Sequence, residues 1–96
     1  MSADKELLLD AIYHFGPTHQ MEKAIEEMAE LTKELIKHKH GAENFDEIAE
    51  EMGDVEITLE QLRMIFDNDR IVDASKQEKL RKLRHKIFEE KYPIDG

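Results

Sequence analysis

An all-α protein is what this sequence predicts, and three features predict it. Apolar residues recur at spacings of three and four over long stretches, and no segment keeps the two-residue alternation of a strand. Only four Gly and two Pro punctuate 96 residues, too few for a fold of many short elements. With 39% charged residues and no Trp, packing has to come from Leu, Ile, Met and Ala on amphipathic helices. Residues 1–96 read as a single helical domain, an antiparallel hairpin with flanking N- and C-terminal helices. So small a domain cannot cover all its apolar stripes, so a homodimer or homotetramer is expected to complete the bundle.

The first helix is expected over about 3–15, with Leu7, Leu8, Ala11, Ile12 and Phe15 on its apolar face. Gly16 and Pro17 stop it, and Thr18 is placed to cap a second helix running to about His38. The stretch "HKHGAEN" at 38–44 is a turn, with Gly41 as its left-handed residue. Asn44 or Asp46 then caps a third helix that reads to about Phe66. A polar connection, "DNDRIVDAS", leads to a fourth helix starting at Asp73 or Ser75, running to about Lys91 and closed by Pro93.

The middle helices carry matching stripes. Met21, Ala24, Met28, Leu31 and Leu35 face Ile48, Met52, Val55, Leu59, Leu62 and Phe66, each set spaced as heptad a and d positions. Gly53 interrupts the third helix, where glycine costs roughly 1 kcal/mol relative to alanine.

Two nearly repeated phrases, "IEEMAE" at 25–30 and "AEEMGD" at 49–54, lie on these helices. With Met28 and Met52 at position a, Glu27 and Glu51 fall at g, and Glu30 and Asp54 at c. In an antiparallel hairpin, residues at one level share a constant sum of numbers. Glu27 with Asp54 and Glu30 with Glu51 both give 81, which centres the hairpin between His40 and Gly41, inside the turn expected on other grounds. Four carboxylates thus converge, an arrangement that is unfavourable unless cations neutralise it. Oxygen-only donors suit Mg²⁺ or Mn²⁺. A di-iron bundle would want Glu-x-x-His, which neither phrase supplies, and the histidines of "HKH" read as a solvated turn rather than a zinc site. The competing reading is a solvated acidic surface, since 23 of the 96 residues are Asp or Glu.

Charge is uneven: residues 22–60 carry 13 acids and 4 lysines, whereas 76–91 carry 7 Lys or Arg and 3 Glu. A net charge of −9 argues against binding nucleic acid polymers, which needs a positive surface. No cysteine is present, so neither disulfides nor thiolate sites arise. The N-terminal segment lacks the apolar run of a signal peptide and no segment approaches a membrane span, so a cytoplasmic protein is the expectation.

The two acidic phrases, read as EExxE, a 20-residue spacer and ExxD, resemble the motif of the MazG-like all-α nucleoside triphosphate pyrophosphohydrolases, relatives of the dimeric dUTPases. The likeness spans roughly residues 18–66 and includes "QMEKAIEEMAEL" and "NFDEIAEEMGDVEITLEQL". It implies Mg²⁺-dependent cleavage of a (d)NTP to the (d)NMP and pyrophosphate, with Glu27, Glu30, Glu51 and Asp54 as metal ligands. Metal there would neutralise the triphosphate and acidify a water for in-line attack on the α-phosphorus. Glu34 and Glu47 are the candidate bases. Lys79, Lys82 and Arg84 of the last helix are candidate phosphate clamps, from this chain or another subunit, and Gln20 and Tyr13 are candidates for contacting the base. Two other classes compete: a non-enzymatic helical interaction module, and a nucleotide- or metal-binding member without turnover.

Overall fold

The computed structural model describes residues 2–94, which form four helices: α1 (Ser2–Phe15), α2 (Pro17–Lys39), α3 (Phe45–Phe66) and α4 (Asp69–Lys91). The fold class is all-α, and α2 and α3 pack as a close antiparallel hairpin. No helix among the described residues is long and apolar enough to cross a membrane.

Each boundary has a local cause. Gly16, at φ 95 and ψ 151, occupies a region open essentially to glycine alone, and it redirects the chain between α1 and α2. Thr18 is not the cap expected of it. Pro17 already stands at the first helical position, where its fixed φ suits the helix and its missing N–H leaves nothing unpaired. The α2–α3 turn is a Schellman motif: Ala42 N–H donates to Lys37 O (3.1 Å) and Gly41 N–H to His38 O (3.0 Å), with Gly41 at φ 103. Asn44 precedes α3 without capping it. Its Nδ2 instead donates to the backbone oxygen and to Oε1 of Glu34, both at 2.9 Å, tying the turn back onto α2.

The fourth helix begins four to six residues earlier than the Asp73 or Ser75 that the sequence suggested. Only Asp67, in the left-handed region at φ 48, and Asn68 separate it from α3. Arg63 near the end of α3 donates to Asp69 and Asp73 at 3.0 Å each. Acids that read as a polar linker are therefore the first turns of a helix, held by a base on the preceding one.

The core is small. Leu8, Ile12 and Ala24 are its buried apolar residues, and α1 lies against both hairpin helices. Leu7 and Phe15, expected in the core, are exposed; Phe15 stacks on His19, ring centroids 5.1 Å apart.

Within the hairpin the expected register holds. Gln20 Nε2 donates to Gln61 Oε1 at 3.0 Å, a pair with the same sum, 81, as the motif acids. The facing does not hold. The line running inward is Gln20, Ala24, Glu27, Leu31 and Glu34, opposed by Glu51, Val55, Thr58 and Gln61. The helices thus meet along d and g positions, with Gln61 at c, while Met28 (40% exposed), Leu35, Met52 (48%), Leu59 and Phe66, all at position a, face outward. Hydrogen bonds go with this facing: Gln20 pairs with Gln61 across the hairpin and Glu34 with Asn44 of the turn, and a buried polar group without such a partner costs more than an exposed methionine.

Candidate metal centre

Rotation of the seam brings the acids closer together than heptad positions beside the seam would have placed them. Glu27 is 7% exposed and Glu51 half-buried, with Asp54 one turn on and exposed. One carboxylate oxygen from each lies within 4.8 Å of the others. Oxygens on opposite sides of one hard cation are about 4–5 Å apart, so the spread matches a single ion.

The charges of the cluster are only partly compensated. Glu51 Oε2 is shut off from solvent and has no hydrogen-bond partner. Burial pushes the Glu51 carboxyl above its ordinary value, helped by the charges of Glu27 and Asp54, a hydrogen bond with Glu27 and the charge of Glu30. Among the described residues, the one cation within 4 Å of these carboxylates is Lys23, whose Nζ sits 3.3 Å from Glu27 Oε1. Its bond to Glu27, with the charges of Glu26 and Glu27, raises the Lys23 pKa. An orphaned buried carboxylate oxygen among three converging, oxygen-only donors fits Mg²⁺ or Mn²⁺.

The remaining expected site residues are dispersed. Glu30 is not in the three-carboxylate cluster, and Lys33 lies 3.7 Å from its Oε2. Glu34 is buried and structural in its contacts. The Asn44 hydrogen bond, then Lys37, hold its carboxyl below the ordinary value against the opposing effect of burial. Glu47 is exposed on the first turn of α3. Gln20 has both ends of its amide in use: His19 Nδ1 is 2.8 Å from Oε1, and Nε2 reaches Gln61. Tyr13 is exposed on α1. Lys79, Lys82 and Arg84 are exposed on α4, which forms no packed interface with α2 or α3.

Sequence reasoning passed over Lys23 and Gln61. Both had a signal: Lys23 stands four residues before Glu27, the helical ion-pair spacing, and Gln61 is the register partner of Gln20. No family model, curated protein or solved structure matches the chain, so its functional reading stands on this geometry and on the motif.

Proposed function

We propose that the chain is a Mg²⁺-dependent nucleoside triphosphate pyrophosphohydrolase, cleaving a (d)NTP to the (d)NMP and pyrophosphate, with Mn²⁺ as an alternative metal and housecleaning of the cytoplasmic nucleotide pool as its role. The observation that carries the reading is the convergence of Glu27, Glu51 and Asp54 around a buried, unpartnered oxygen. Glu27, Glu51 and Asp54 would hold the metal, with Glu30 joining when its side chain leaves Lys33. The ion supplies charge neutralisation for the triphosphate and a more acidic water. Lys23, the resident counter-ion of Glu27, would be freed by a metal on that carboxylate to meet a phosphate. Glu47 is the more available of the two candidate bases, because Glu34 is bound by Asn44 and Lys37. Lys79, Lys82 and Arg84 would reach phosphates from a second copy, in a homodimer or homotetramer. Tyr13, exposed, and Gln20, if it exchanges its internal bond, are the base contacts.

The Glu30–Lys33 pair favours one second reading, a metal- or nucleotide-binding protein without turnover. Pyrophosphate release from a panel of (d)NTPs separates the two. Mg²⁺-dependent release, reduced at least about a hundredfold in Glu51→Gln, is the expected result. Metal binding with no release from any nucleotide would leave the second reading.

A further inference from the structure

A hydrogen-bond chain runs from the interior of the helical core to its surface and ends on a histidine. Gln61 Nε2 donates to the backbone oxygen of Leu8 at 3.4 Å, and Gln20 Nε2 donates to Gln61 Oε1 at 3.0 Å. His19 Nδ1 lies 2.8 Å from Gln20 Oε1. Both glutamines are buried, whereas His19 is exposed.

The direction of this chain is set at its buried end. A backbone carbonyl can only accept, so Gln61 must turn its amide nitrogen to Leu8 and its oxygen to Gln20. Gln20 must then turn its nitrogen to Gln61 and its oxygen to His19. An amide oxygen can only accept, so the Nδ1 of His19 carries the proton. In the neutral ring Nε2 is therefore left as an acceptor, on a residue open to solvent.

The ring is held in place as well as in tautomer. Phe15, 55% exposed, stacks on His19 with the planes 20° from parallel, and His14 meets Phe15 edge-on with ring centroids 4.6 Å apart. A planar ligand in the plane of the imidazole runs parallel to Phe15, so a hydrogen bond to Nε2 and a stack on Phe15 are compatible. His19, Lys23 and Glu27 follow one another at intervals of four on α2 and lie along one side of it. His19 stands about 12 Å along the axis from Glu27. A nucleotide with its phosphates on a metal at Glu27 has that distance over which to extend its base.

We infer that His19 is a specificity-determining residue: its Nε2 accepts a hydrogen bond from the exocyclic amine of a cytosine- or adenine-type base stacked on Phe15. Gln20 and Gln61 are positioning residues that fix the acceptor, so Gln20 acts on the base through His19 instead of by direct contact. A base with a carbonyl at the same place is disfavoured, because an oxygen facing the Nε2 lone pair leaves both acceptors unpaired. The inference rests on the reading of the chain as a nucleotide-binding protein.

The test is equilibrium binding, by calorimetry with Mg²⁺, of the non-hydrolysable α,β-imido analogues of dCTP and dUTP to the full chain. Pyrophosphate release from dCTP itself is measured in parallel. Wild type should bind the amine-bearing analogue at least about fivefold more tightly. His19→Phe keeps a ring on Phe15 and removes the acceptor, so its preference should fall below about twofold. Nitrogen NMR of the neutral imidazole should show His19 protonated at Nδ1, and Gln20→Leu, which removes the partner of that proton, should lose this tautomer. Equal binding of the two analogues by wild type overturns the inference, as does binding of neither. An undiminished preference in His19→Phe overturns it too, and so does a ring protonated at Nε2. The two readings separate cleanly: release without preference sinks this inference alone, and preference without release upholds it and sinks the hydrolase.

Discussion

The α2–α3 hairpin and the α4 arm invert the usual arrangement in opposite ways. The hairpin places Glu27, Gln20, Thr58 and Gln61 inside and leaves Met28 and Met52 outside. The arm buries nothing, yet it carries a regular apolar stripe. Interiors filled with charge are poor sources of stability, because desolvation offsets most of what pairing gains. Under the function proposed above, a ligand at Glu27, Glu51 and Asp54 would relieve their repulsion, while Gln20, Thr58 and Gln61 are satisfied by hydrogen bonds. An apolar stripe in water, in turn, is explained by a partner surface. The hairpin thus gathers charge that a cation would relieve, and α4 carries an apolar stripe that no other helix covers among the described residues.

The largest effect that would break this contrast is expected at the hairpin's internal amide pair. Gln61→Ala removes the bond to Gln20 and the 3.4 Å bond to Leu8 O, leaving the buried Gln20 Nε2 unpaired. A loss of about 1–3 kcal/mol in urea unfolding is expected. An unchanged midpoint would mean that the polar interior is not closed to water.

A pH profile sharpens the contrast between two carboxylates of the same interface. The raised Glu51 pKa means that the folded metal-free chain holds this proton more tightly than the unfolded chain. Its contribution to stability is full below the ordinary carboxylate pKa and is lost as pH rises through the raised value. Glu34 runs the other way: its contribution is present above the ordinary value and is lost as pH falls through its lowered one. The metal-free melting temperature of wild type, relative to Glu51→Gln, should therefore fall with rising pH just above the ordinary carboxylate range. Relative to Asn44→Ala, it should fall with acidification below that range.

The smallest effect belongs to the arm. Leu80→Ala, measured at a concentration low enough to keep chains apart, should change stability by no more than about 0.5 kcal/mol, because Leu80 is 49% exposed and packs on no other helix. A larger loss would show that α4 folds onto its own chain.

What the sequence discloses follows the same division. The hairpin, its turn and its register were legible because Gly41 marks the turn and the acidic phrases share one sum with Gln20 and Gln61. The facing was not legible. Positions d are common to both arrangements, and heptad spacing cannot tell whether the a or the g side meets the neighbour within the chain. Hydrogen bonds between residues distant in sequence, Gln20 to Gln61 and Asn44 to Glu34, decide it. The start of α4 was hidden for a related reason: Asp69 and Asp73 read as linker acids until Arg63 is seen to hold both. For the site, the convergence of Glu27, Glu51 and Asp54 was legible in the motif, whereas the Lys23 counter-ion and the dispersal of Glu30 depend on side-chain contacts that the motif does not encode.

The central claim, that the converging acids are a cation cradle and not a charged surface, is tested most directly by melting wild type and Glu51→Gln with and without Mg²⁺. Without metal, Glu51→Gln should melt higher than wild type, because it removes a repelled and unpartnered charge. With millimolar Mg²⁺, wild type should rise by several degrees, as binding to the folded state alone requires, and the variant should hardly move, so that the two curves cross. A wild type indifferent to Mg²⁺, or a variant that responds equally, would contradict the account and leave the repeated acidic phrase as solvated surface.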